Sequence, residues 1–305
     1  MEMIDGVWPT MITAFTDQHT LDEAATEALV EWYVARGVVG LFGVCQSSEM
    51  FYLSLEERLR LARLVVRYAA GQVGVIAAGQ ISDTLEAQVE EVSRMAETGV
   101  GAVVLVTNRF AASDESDAVW IRNVERLLAR LPEDLTLGWY ECPWPYKRLF
   151  TLQTLRWCIE SGRFVFLKDT CCDLETIAAR QALMAGTAFK LYNANAPTLL
   201  GSLRLGVAGY SSVMANFHPQ LYAWLCQNWR EEPERAERLQ AFLGVTSNPV
   251  VYPVSAKYYL QLEGLPIALH SRTCSADDLL PVHKLQVEQL RMLSLDIAQR
   301  LGLEL

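Results

Sequence analysis

Eight short runs rich in β-branched and aromatic residues, each followed by a stretch of helical period, constrain this chain more than any other feature. They occupy residues 7–15, 39–44, 73–78, 101–107, 135–140, 163–168, 189–193 and 207–213. Most are apolar throughout rather than alternating, which is the pattern of strands covered on both faces, and strands joined by helices run parallel. The intervening stretches are amphipathic, such as 21–36 and 54–68; the second opens on Ser54 with Glu57 three residues later, a capping box. Eight such units predict a closed (β/α)8 TIM barrel, with an open doubly wound sheet as the alternative. Beyond residue 230 the pattern is helical only, over 231–243, around 255–262 and over 277–303. The expected organisation is therefore a barrel over 1–230 and a C-terminal helical extension over 231–305, whose leucine-rich faces suit packing on the barrel or oligomerisation.

Composition narrows the partners. A net charge of −10 without a basic cluster argues against nucleic acid. No apolar run approaches the roughly 20 residues of a membrane helix, so no membrane span is expected. The N-terminus shows no basic region followed by an apolar stretch. With no export signal, the seven cysteines (45, 142, 158, 171, 172, 226, 274) are expected as free thiols in a cytoplasmic protein. A small molecule is the expected partner.

Active sites of such barrels lie at the carboxyl ends of the strands and in the loops that follow. Those positions read Thr13; Cys45, Gln46, Ser47, Ser48 and Glu49; Gln80; Thr107 to Phe110; Tyr140 to Pro143; Lys168 and Asp169; Asn193 and Asn195; Ser212. They contain neither metal-ligand spacing nor a phosphate-binding glycine loop, so the reading assigns no metal and no organic cofactor. His218, at the start of the helix after the eighth strand, is expected to cap or pack rather than catalyse. The sixth run ends R-F-V-F-L-K-D-T, which sets Lys168 at the end of an apolar strand; the chain has only five lysines (147, 168, 190, 257, 284). One reading is a lysine whose stem covers apolar surface while its ammonium reaches water. The other is an amine held among apolar walls, its pKa lowered so that the lone pair attacks a carbonyl. Tyr140, one strand earlier, is placed to shuttle protons. Lys190 lies before the end of its strand and is expected to point outward.

These segments resemble the dihydrodipicolinate synthase and N-acetylneuraminate lyase family of class I, Schiff-base aldolases, over essentially the whole chain. G-V-W-P-T-M-I-T-A-F is similar to the family's first strand, and L-K-D-T to the segment of its imine-forming lysine, which implies that role for Lys168. W-Y-E-C-P is similar to the Y-N-x-P segment and implies Tyr140 as the catalytic tyrosine, 28 residues before the lysine. C-Q-S-S-E at 45–49 aligns with the G-T-T-G-E motif that binds the keto-acid carboxylate, which implies Gln46, Ser47 and Ser48 as substrate-binding residues. Asn193, Asn195 and Ser212 complete the substrate-binding set. The two asparagines are read either as ligands for a polyhydroxylated substrate or as caps of their own loop. Glu49 is expected as a hydrogen-bond partner at the barrel rim.

The sequence also departs from the family. Gln46 stands where the motif has its first hydroxyl. Phe110 stands where the synthases lend a second tyrosine to a neighbouring subunit. Pro145 falls at or near their arginine after Y-N-x-P, with Lys147 and Arg148 the nearest cations. The expectation is a lyase or aldolase acting on pyruvate or a related 2-oxo acid, with an aldehyde as second partner, by carbon–carbon cleavage or condensation or by sugar-acid dehydration, but not authentic dihydrodipicolinate synthesis. A homotetramer is implied by the resemblance alone. The alternative is a catalytically impaired member that serves as a small-molecule binding or regulatory protein.

Overall fold

The first six βα units begin their helices with a side chain that caps the first free amides. The computed structural model describes residues 2–303. In it, α1 (Glu23–Ala35), α2 (Leu55–Ala69), α3 (Leu85–Ala96), α4 (Asp117–Leu128), α5 (Leu152–Ser161) and α6 (Leu174–Met184) start after Asp22, Ser54, Thr84, Ser116, Thr151 and Asp173. Each of those residues accepts a backbone N–H from the first turn. The Ser54–Glu57 capping box forms as its spacing predicts. The remaining units carry α7 (Leu199–Arg204) and α8 (Pro219–Asn228).

Between the helices run β1 (Gly6–Val7), β2 (Gly40–Val44), β3 (Gly74–Ala78), β4 (Ala102–Val106), β5 (Leu137–Tyr140), β6 (Phe164–Asp169), β7 (Lys190–Asn193) and β8 (Gly209–Tyr210). All pair in parallel, in the order β1-β8-β7-β6-β5-β4-β3-β2. A parallel bridge from Thr10 to Phe42 joins the two ends, so the chain is a (β/α)8 barrel rather than an open sheet. Two strands are shorter than their apolar runs. The first stops at Val7 because Pro9 has no N–H for the ladder, and pairing resumes only at Thr10. The eighth gives way to a 3-10 turn over Val213–Asn216.

The barrel is filled by aromatic rings. Phe166 stacks on Tyr192 at 4.8 Å and meets Phe42 edge-on at 6.0 Å, with Trp8 packed on Phe166 and Tyr192. A bulge in β6 sets Leu137 opposite Phe164 but Gly138 opposite Phe166. Phe164 thereby packs with Trp139 and Trp157 under the helices, while Phe166 turns inward, and two residues on, Lys168 turns inward too. A Cβ on Gly40 would lie 2.2 Å from the Trp8 ring. Since Trp8 is buried and cannot retreat, Gly40→Ala is expected to cost about 1–3 kcal/mol, read as a lower urea midpoint at constant slope.

After the eighth unit come α9 (Pro233–Val245), α10 (Val254–Leu262) and α11 (Pro281–Arg300). The predicted single stretch over 277–303 divides, because Pro281 opens α11 after a short 3-10 turn at Ala276–Asp278. α9 packs on the 3-10 turn Ala196–Thr198, α11 lies on α10 and touches α8, and the segment before α10 carries Tyr252 to the carboxyl-end mouth of the barrel. Residues 1, 304 and 305 of the two expected spans lie outside the described residues. No helix among those described is long and apolar enough to cross a membrane.

Candidate active site

A cavity of about 450 Å³ opens at the carboxyl end of the barrel. Lys168 and Tyr140 face each other in register on neighbouring strands, and Lys168 Nζ lies 4.3 Å from the centre of the Tyr140 ring. Lys168 is only 4% exposed, and among the described residues no carboxylate pairs with it. Burial pushes its ammonium down to about 8, against a small opposing pull from the Cys45 and Cys142 thiols. Burial raises the Tyr140 phenol well above its ordinary value, so it keeps its proton.

The loop after β2 closes one side. Tyr140 Oη donates to Gln46 Oε1 at 3.2 Å, and the Cys142 thiol donates to the same oxygen at 3.4 Å. Because both donors keep their hydrogens, with Cys142 pushed up to about 11 by burial, the amide oxygen must face them and the amide N–H groups turn elsewhere. Ser47 Oγ donates to Thr10 Oγ1 at 3.2 Å and lines the cavity. The 3-10 turn Gln46–Ser48 leaves its first amides without intrahelical partners, so the Ser47 hydroxyl and these backbone N–H groups lie together at this side of the site. Ser212, just after β8, lines the cavity as well.

Three of the expected substrate ligands do not line this cavity. Ser48 is fully buried, with Oγ at 2.7 Å from Met11 O and 3.0 Å from Gly43 O, so it braces the loop. Asn193 donates to Thr198 and Ser202 and accepts from the Asn195 N–H; Asn195 in turn accepts from Thr198. Both amides hold the turn that follows β7, and Ala194 is the residue presented to the cavity. Cys172, rather than its neighbour Cys171, reaches the mouth. Phe110 is core, 5.5 Å from Trp139. Lys190 points outward to Asp5, and His218 is buried with Nδ1 3.0 Å from Ser294 Oγ.

Sequence reading missed the part of the site supplied from afar. Tyr252 lines the cavity, and its hydroxyl accepts from Asn216 Nδ2 at 3.1 Å. Glu49, held at a positive φ of 62°, accepts from Ser271 Oγ and the Arg272 N–H and lies 3.6 Å from the buried Lys257. Behind the strands, Arg180 bridges Glu141 at 2.9 Å and Asp169, the residues that directly follow Tyr140 and Lys168.

A buried lysine beside a tyrosine on the neighbouring strand, both at the mouth of a (β/α)8 barrel, is the arrangement the resemblance implies. The profile of the Dihydrodipicolinate synthetase family matches residues 3–291. The chain belongs to this family. Its relatives include a 4-hydroxy-tetrahydrodipicolinate synthase of Parvibaculum lavamentivorans, 31% identical over 273 residues, covering 86% of this chain and 89% of that one. An uncharacterized DapA-like lyase of Halobacterium salinarum is 29% identical over 239 residues, 78% of this chain and 76% of its own. Among solved structures, the prophage protein YagE of E. coli K12, of the dihydrodipicolinic acid synthase family and in complex with pyruvate, superposes with a TM-score of 0.84 at 22% identity, over 96% of this chain and 99% of that one. A catalytic lysine mutant of Ruminococcus gnavus sialic acid aldolase gives a TM-score of 0.86 at 16% identity, over 98% and 99%. At these identities the two structures speak for the fold alone, which is the barrel of the family's Schiff-base aldolases and lyases.

Proposed function

We propose that the protein is a Schiff-base lyase or aldolase acting on pyruvate or a related 2-oxo acid. The observation that carries this is Lys168 held inside an apolar barrel, with no carboxylate paired to it among the described residues and its pKa brought to about 8. Burying a cation without a partner is expensive, and sites that tolerate the expense are enriched in catalytic groups. In this reading Ser47, the amides of its turn and the Gln46 amide N–H groups hold the substrate carboxylate, with Ser212 beside them. Lys168 Nζ adds to the C2 carbonyl, and Tyr140 delivers the proton with which the carbinolamine loses water. Loss of a C3 proton gives the enamine, whose carbon adds to an aldehyde; cleavage runs the same steps in reverse. Dehydration of a sugar acid passes through the same enamine. The imine is the electron sink, so the steps call for no other.

An activity other than dihydrodipicolinate synthesis is part of the proposal. Phe110 packs in the core, and Arg148 is bound to Ala112 O, Glu115 O and Asp117, away from the cavity. The division into a barrel over 1–230 and a helical region over 231–305, a cytoplasmic location and a homotetramer also remain proposals. Exposed Leu280, Val282, Leu285, Met292 and Leu293 along and beside α11 give such an assembly apolar surface to bury.

The test is intact-mass analysis after incubation with pyruvate and borohydride, extended to a panel of 2-oxo acids. A reduced adduct supports the lyase; no adduct with any member of the panel moves the binding or regulatory role ahead. Tyr140→Phe is expected to lower kcat by about 10²–10⁴ while still forming the trapped adduct slowly, because it removes proton transfer and leaves the nucleophile. Retention of full kcat would remove Tyr140 from the mechanism. Trapping rate should also rise with pH and level off above about 8, as Lys168 loses its proton.

A further inference from the structure

The outer half of the cavity differs from its floor. Phe51, Tyr52, Pro143 and Trp144 line it, and Tyr52 and Trp144 remain 55% and 54% exposed. Two large aromatic side chains left half open at a cavity mouth forgo burial that the fold would otherwise gain. The main chain that carries each ring is held. Arg272 donates to the Tyr52 carbonyl at 2.9 Å, and Asn108 Nδ2 reaches the Trp144 carbonyl at 2.8 Å and those of Cys142 and Tyr146 at 2.9 and 2.6 Å. A ligand ring that meets these faces meets side chains carried on a fixed backbone.

Several polar groups near the mouth that could recognise sugar hydroxyls or a second carboxylate already have protein partners. The Asn193 and Asn195 amides serve their own turn. The Thr170 hydroxyl donates to Glu141 O at 2.8 Å, Arg109 is paired with Asp83, and Arg148 with Asp117. The remaining cation at the mouth, Lys147, is exposed and donates to Thr170 O at 2.9 Å.

We infer that the second partner at this site is an aromatic aldehyde, its ring lying between Trp144 and Tyr52. This rests on the Schiff-base reading of the same cavity. The enamine C3 bonds to the aldehyde carbon, whose oxygen takes a proton to become a hydroxyl. Water then hydrolyses the imine, returning the Lys168 amine and releasing a 4-aryl-4-hydroxy-2-oxobutanoate. The cleavage direction is the same sequence reversed. The polar floor orients the oxo acid and the aromatic mouth selects its partner, a division common in ligand pockets.

The test has two arms. In the first, the full chain is given pyruvate with benzaldehyde, glyceraldehyde or succinic semialdehyde, and kcat/KM is measured for each. The expected result is at least a tenfold preference for benzaldehyde, and a Trp144→Ala variant that loses at least tenfold more activity toward benzaldehyde than toward glyceraldehyde. Preference for either of the other aldehydes would overturn the inference. So would a Trp144→Ala variant that dissociates into smaller oligomers with its selectivity intact, which would make the indole a subunit contact. In the second arm, calorimetry compares 4-phenyl-2-oxobutanoate with 2-keto-3-deoxygluconate on Lys168→Ala, where no imine forms. Tighter binding of the phenyl acid by at least tenfold supports the aromatic mouth even if the wild type traps no pyruvate. Tighter binding of the sugar acid overturns it even if trapping succeeds.

Discussion

Lys168→Met is expected to end adduct formation and lower turnover by a factor on the order of 10⁴ or more, while raising thermal stability. The two effects have one cause. Burial lowers the folded-state pKa of Lys168 from 10.5 to about 8, so below pH 8 the fold carries a charge that it disfavours. That shift corresponds to a penalty on the order of 3 kcal/mol, full below about pH 8 and fading as pH rises toward 10.5. Methionine has a similar length and no charge, so the penalty goes and the nucleophile with it. Denaturant unfolding of both proteins at pH 7 and pH 10, beside an activity assay, checks the pair. A variant that is inactive but less stable than the wild type would say that Lys168 is structural.

Arg180→Leu should do the reverse and destabilise strongly, by about 3–5 kcal/mol. The guanidinium is fully buried, as are its partners Glu141 and Asp169, and it also donates to Phe150 O at 2.6 Å. Removing it leaves two carboxylates together in the interior. Glu141 accepts the N–H groups of Phe150 and Thr170 at 2.7 and 2.8 Å, so the loops that follow β5 and β6 share this anchor. The loss should appear as a lower denaturant midpoint, partly recovered in Glu141→Gln/Arg180→Leu, where one of the two stranded charges is gone. A single variant within 1 kcal/mol of wild type would show that the interior hydrates the carboxylates.

The barrel was legible because each of its signals is local. Apolar runs, N-caps and a proline that interrupts the first ladder all act within a few residues. Lys168 and Tyr140 were legible for a related reason: a cation ending an apolar strand is anomalous on its face, and two adjacent parallel strands put their ends side by side. The asparagines were misplaced because a side-chain amide that would bind a hydroxylated ligand is equally suited to cap its own turn, and residue type does not tell the two apart. Ser48 failed likewise, since its hydroxyl is taken up by the backbone carbonyls of Met11 and Gly43. Tyr252, Lys257 and Arg272 carry no local mark. Glu49 meets Arg272 across 223 residues of sequence, a contact that only the completed fold creates.

Lys257 also sharpens the decisive measurement. It is a second fully buried lysine whose pKa burial lowers to about 8, but it sits 3.6 Å from Glu49 and does not line the cavity. A low pKa alone would make both amines nucleophiles, whereas placement makes only one. Peptide mapping of the wild-type protein after reduction with pyruvate and borohydride separates these. The account predicts a single modified peptide carrying the adduct on Lys168, with Lys257 unmodified; an adduct on Lys257, or on exposed lysines in proportion to their accessibility, would contradict it.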